Sequence, residues 1–135
     1  MEDAKPWLTL ARVPTLHAGH ARVLGPDESP LALLEASPAR RAALGLGAGS
    51  ARALTRPDTA AIDADLRWLA GAPNRSLVHW GEAAYPPLLA QIHDAPLVLF
   101  VEGDVQVLAR PQLAVVGTRH PTPLGRETAA RFASH

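Results

Sequence analysis

Gln112–Gly125, QLAVVGTRHPTPLG, decides how the rest of the chain is read. Leu113, Ala114, Val115 and Val116 are a short unbroken apolar run, the pattern of a parallel strand covered on both faces by helices. Gly117 ends the run, and Thr118 and Arg119 add a hydroxyl and a guanidinium. Thr122-Pro123 then supplies an N-cap residue with proline at the first helical position. The helix that follows places Leu124, Thr128 and Phe132 on one face, with Ala129 and Ala133 beside them. A strand, a cationic turn and a capped helix start together favour phosphate or carboxylate at the turn. The segment contains neither GxGxxG nor GxxxxGK[ST], so dinucleotide and P-loop readings lose support. From these residues alone, an ordinary strand-to-helix turn with a solvent-facing arginine is an equal reading.

Working outward, the last residues, GRETAARFASH, still hold a helical pattern with no C-cap glycine and no returning strand. A parallel strand needs a crossover partner, so the expectation is that 135 residues give one small domain and only the first part of a second. The expected half-built sheet would expose an apolar edge. Formal net charge is zero, yet from Arg110 onwards four arginines face a single glutamate, a local excess of plus three. Such a field attracts polyanions, although only Arg119 has a position that argues for contact.

Before this region the chain changes character. Trp7, Leu8, Leu10, Ala11 and Val13 predict a helix that stops before Pro14, and Ala21, Val23 and Leu24 predict another. Ser29-Pro30 and Ser37-Pro38 read as capped starts for Leu31–Glu35 and Ala39–Leu44. Gly45, Gly47 and Gly49 break the chain, and Ile62, Leu66 and Leu69 mark the longest helix of this part. Gly71, Pro73 and Asn74 are the expected domain boundary, giving a helical module over 1–72 and a second unit over 73–135. In the second unit Leu77–Trp80 and Leu97–Val101 are strand-like, Tyr85-Pro86-Pro87 is a rigid turn, and Leu88, Leu89 and Ile92 suggest one or two helical turns. Asp104 caps a short turn holding Val105 and Leu108, unless Gly103 instead turns a hairpin.

Several features exclude function classes. There is no cysteine, so neither a disulfide framework nor a cysteine metal site is possible. The N-terminus lacks a signal-peptide pattern, and no run of about 18 apolar residues occurs, so the expectation is a soluble, cytoplasmic protein. His17 and His20 stand three apart with no third ligand placed by sequence, so no metal site is assigned. Asp63 and Asp65 read as a solvated helix face, and Trp7, Trp68 and Phe132 as core residues. Glu82, Glu102 and Asp104 have no nucleophile and base beside them, so no catalytic constellation is found.

Taken together, the segments become recognisable. LVHWGEAAYPPLLAQIHDAPLVLFVEGD, and then LAVVGTRHPTPLGRETAARFA, resemble the DprA (Smf) family of DNA-processing proteins. The landmarks are Tyr85, Pro86, Leu89, Ile92, Asp94, Pro96, Leu99 and Gly103, then Val116, Gly117, Thr118, Arg119, Thr122, Pro123 and Gly125. Ala95 stands where many members carry a second proline. The resemblance implies an α plus α/β fold, with a sterile-alpha-motif-like helical domain followed by the start of an extended Rossmann-like domain.

It also implies that Gly117, Thr118 and Arg119 contact the phosphates of single-stranded DNA. Thr122 and Gly125 are expected to shape the turn rather than touch DNA. Val13–Ala21 lies where a helix-hairpin-helix would carry two glycines, but Thr15 and His17 occupy those places. The helical module is therefore expected to be structural or regulatory. The implied role is binding without chemical turnover and without a cofactor: protecting incoming single-stranded DNA and loading RecA on it in natural transformation, as a homodimer when full length. The rival readings are a Rossmann-type nucleotide-processing enzyme of the phosphoribohydrolase kind, and a truncated interaction module without DNA affinity.

Overall fold

The computed structural model describes residues 3–24 and 28–134. Six helices come first: α1 (Ala4–Ala11), α2 (Ala18–Arg22), α3 (Ala32–Glu35), α4 (Pro38–Ala43), α5 (Ala48–Thr55) and α6 (Thr59–Ala70). Strands β1 (Arg75–His79) and β2 (Val98–Glu102) follow, with a 3-10 turn at Leu89–Gln91 between them and another at Val105–Ala109 after them. The last element is α7 (Pro123–Ala133). His135, the end of the helical pattern in the sequence, lies outside the described residues.

The helix boundaries follow side-chain chemistry. Ser37 Oγ accepts the Arg40 N–H at 3.2 Å, with Pro38 starting α4. Asp58 Oδ1 accepts the Ala61 N–H at 3.0 Å and opens α6. Helix α4 ends in a Schellman arrangement: Leu46 N–H reaches the Arg41 carbonyl, Gly45 N–H the Ala42 carbonyl, and Gly45 takes φ +81°. Ser29 makes a turn with the Leu31 N–H, and the helix after it starts at Ala32. The buried Arg41 holds that region together by donating to the Leu33 and Leu34 carbonyls and to Thr55 Oγ1.

Strands β1 and β2 form a two-stranded antiparallel sheet with Leu77 opposite Phe100 and Val78 opposite Leu99. Trp80 N–H donates to the Leu97 carbonyl at 2.8 Å and continues the pairing. The connection is pinned by the Tyr85 hydroxyl, which donates to the Pro96 carbonyl at 2.7 Å. Asp104 caps the turn at Val105–Ala109 by accepting the Gln106 N–H, so no hairpin forms through Gly103. At the open end Arg75 lies over the Trp68 ring at 4.7 Å and pairs with Glu102 at 3.3 Å.

The core is shared between the helices and the sheet region. Trp7, Leu10, Val13, Ala18 and Ala21 pack in one cluster with Ala95, Leu97 and Val98, while Leu33, Leu46 and Leu54 close it from α3–α5. Trp7 also stacks face to face on His79, ring centroids 4.1 Å apart. Glycine is required at Gly19, where a Cβ would sit 2.7 Å from His17 Cε1 and 3.0 Å from the His93 carbonyl oxygen. We expect Gly19→Ala to cost about 1–3 kcal/mol in urea denaturation, the usual penalty for overpacking.

Three expectations are corrected. Leu113–Val116 forms no strand and pairs with nothing among the described residues, and Leu113 is 81% and Val116 89% exposed. A strand needs a neighbouring strand to receive its backbone hydrogen bonds, and the only ladder here is β1–β2, so the Rossmann-like parallel sheet is not formed among the described residues. The described architecture is a mixed α+β arrangement of seven helices and a small antiparallel sheet. Phe132, expected in a core, is 70% exposed because α7 faces that unpaired segment and nothing beyond it. Asp65, expected in solvent, is buried because Arg12 reaches it from the C-cap of α1: Nε donates to Oδ2 at 2.8 Å and Nη2 bonds Oδ1.

Candidate nucleic-acid interface

Gly117, Thr118 and Arg119 lie between the unpaired Leu113–Val116 segment and α7, and all three are exposed. Gly117 has open space around its Cα, with nothing within 4 Å of an added Cβ, so no internal contact demands glycine there. Thr118 Oγ1 accepts the His120 N–H at 3.2 Å, which bends the chain while leaving the hydroxyl proton available to donate. Arg119 makes no hydrogen bond or ion pair among the described residues, so its five donors are unclaimed by them.

Helix α7 begins as its sequence predicts. Thr122 has extended backbone, Pro123 stands at the first helical position, and Thr122 Oγ1 accepts the Gly125 N–H at 3.1 Å. Thr122 and Gly125 are thereby engaged with each other and build the turn. Pro123 has no N–H, so Leu124 N–H is the first-turn donor without a partner among the described residues. Leu124, Thr128 and Phe132 do share a face, and with Leu113 and Val116 they line an open groove.

Of the basic excess in this region, Arg110 approaches Asp104 at 3.9 Å, whereas Arg119, Arg126 and Arg131 have no acidic partner among the described residues. The acidic residues weighed as a cluster are dispersed. Glu82 faces His79, Glu102 faces Arg75, and Asp104 faces Arg110. No group of three His, Asp or Glu among the described residues is arranged to hold a metal ion. No helix among them is long and apolar enough to cross a membrane.

In the helical part, Thr15 adopts φ +61°, the one non-glycine residue among those described in the left-handed region. This is the position at which the helix-hairpin-helix pattern would carry glycine, and the threonine takes the glycine-like backbone at a cost of about 1–3 kcal/mol. Ser50 supports it: the two hydroxyls are 3.2 Å apart, and Ser50 Oγ donates to the Pro14 carbonyl at 2.7 Å. What the sequence did not disclose is His93, which comes from the β1–β2 connection to lie against His17, ring centroids 5.1 Å apart. Its position depends on the path of a loop that no short-range pattern encodes.

Comparison with known proteins is consistent with these landmarks. Residues 76–135 match the family described as DNA recombination-mediator protein A. Protein Smf of Escherichia coli (strain K12) is 45% identical over 58 residues, a stretch that covers 43% of this chain and 15% of that protein. No solved structure matches. The matched stretch starts in β1, runs through the Tyr85–Gly103 landmarks and takes in the Gly117–Arg119 turn and α7, and over that stretch the chain is similar to the DNA recombination-mediator protein A family.

Proposed function

We propose that this chain is part of a DNA recombination mediator in which Gly117, Thr118 and Arg119 hold the phosphates of single-stranded DNA. The observation that carries the reading is an exposed arginine without a partner among the described residues, set in a Gly-Thr-Arg turn just before a capped helix, inside the family-matched stretch. Glycine lets a phosphate approach the backbone, threonine donates a hydroxyl, and the guanidinium makes paired charged hydrogen bonds. Such contacts ignore base identity, which suits a protein that must accept any strand. The full-length protein would act by binding rather than turnover, in the cytoplasm, as a homodimer that protects imported single strands and loads RecA on them in natural transformation.

The test is fluorescence anisotropy of an oligothymidine strand across a salt series, with the full-length protein and its Arg119→Ala variant. Loss of one phosphate contact is expected to weaken affinity for all sequences alike and to lower the salt slope by about one unit or somewhat less. Unchanged affinity and slope in a folded variant would reduce the turn to architecture.

A further inference from the structure

We propose that His17, His20 and His93 form an acid-released clasp that holds α2 against the connection between β1 and β2. The three rings are in contact: His17 and His20 meet edge to face at 4.3 Å between centroids, and His93 tilts against His17 at 5.1 Å. Around them the joint is made largely of neutral parts. Ala18 N–H donates to the Ala95 carbonyl at 2.8 Å, and Ala18, Ala21 and Ala95 are buried there. The inference is independent of the DNA-binding reading.

His20 is placed to suit its uncharged form, and His17 holds the joint through a helix cap. His17 is the N-cap of α2, and its Nδ1 accepts the Gly19 N–H at 3.1 Å, so a proton on that atom removes the cap. His20 Nδ1 is buried without a hydrogen-bond partner among the described residues, which makes a charge on that ring costly. Burial, followed by the neighbouring His17 and His93, disfavours the charged form of His20 and lowers its pKa. The His17 backbone opposes this in part. The remaining charged group at the joint is Arg22, which donates to the Ala90, Ile92 and His93 carbonyls. Beyond it lie the buried Tyr85 and the exposed Asp94. No carboxylate acts on His20 to offset a positive charge.

The direction with pH follows. A histidine whose folded pKa lies below the ordinary 6.5 binds fewer protons folded than released. The clasp is therefore complete above about pH 6.5 and weakens as pH falls below it.

Amide hydrogen exchange of the chain at pH 7.5 and 5.5, corrected for intrinsic rates, tests this at two sites. The Ala18 amide reports the clasp, and the Gly103 amide, bonded to the Asn74 carbonyl at 2.8 Å, reports the far end of the sheet. Ala18 protection is expected to fall, by at most about tenfold, at the lower pH while Gly103 keeps its own, and His20→Gln is expected to abolish most of that fall. Equal losses at both amides, no loss at Ala18, or a His20→Gln chain that retains the full fall would each overturn the proposal. If His20→Gln does not fold, the comparison of the two amides in the unaltered chain decides alone.

Discussion

Replacing Leu10 with alanine is expected to remove about 3 kcal/mol of stability, a large share of the roughly 5–15 kcal/mol that holds a typical domain folded. Leu10 is only 1% exposed and belongs to the cluster that contains both helical residues and Ala95, Leu97 and Val98. The lost methyl groups leave a cavity that rigid neighbours on α1 and β2 cannot fully close. Because the cluster crosses from the helices to the sheet region, the damage is expected to reach both. Urea unfolding followed by tryptophan fluorescence and by far-ultraviolet circular dichroism should therefore show one coincident transition in the variant, shifted to lower urea. Two separated transitions, with only the helical signal shifted, would show that the two parts unfold independently.

The second large effect is expected from Asp65→Ala. Its carboxylate is received by both Nε and Nη2 of Arg12, a forked pair that ties the end of α1 to the middle of α6. The Arg12 guanidinium is held further above its usual range, first by the hydrogen bond to Asp65, against a partial penalty from burial. Removing one partner of a fully buried pair costs about 3–5 kcal/mol. Here the Arg12 side chain is 44% exposed and is rehydrated once released, so about 2 kcal/mol is expected. Asp65→Asn keeps the shape and loses the charge, and about half that cost should appear in the same urea experiment. A variant as stable as the parent would mean that the forked pair contributes nothing beyond its own desolvation.

How much of this was legible in the sequence depends on the range of the interaction. Ser37, Asp104 and Thr122 were readable because a cap acts within three residues of itself. The apolar runs at Leu77–Trp80 and Leu97–Val101 located both strands, since each finds its partner in the other. The same reasoning overreached at Leu113–Val116: an apolar run states a preference for a sheet, but the ladder needs a second strand, and composition does not supply one. Phe132 failed with it, because helical spacing defines a face without saying what covers it. Asp65 was misread because its partner is 53 residues away. At the candidate interface, the Gly-Thr-Arg turn and its helix cap were legible locally, whereas the joint between His17 and His93 depends on a loop path.

Arg22 shows what kind of constraint such a path imposes. Its guanidinium binds three main-chain carbonyls, at Ala90, Ile92 and His93, and none of the side chains there. The contact is thus blind to residue identity and sensitive to spacing. Over evolutionary time these three positions can change their letters at little cost to this contact, while a single inserted or deleted residue would displace the carbonyls from the fork all at once.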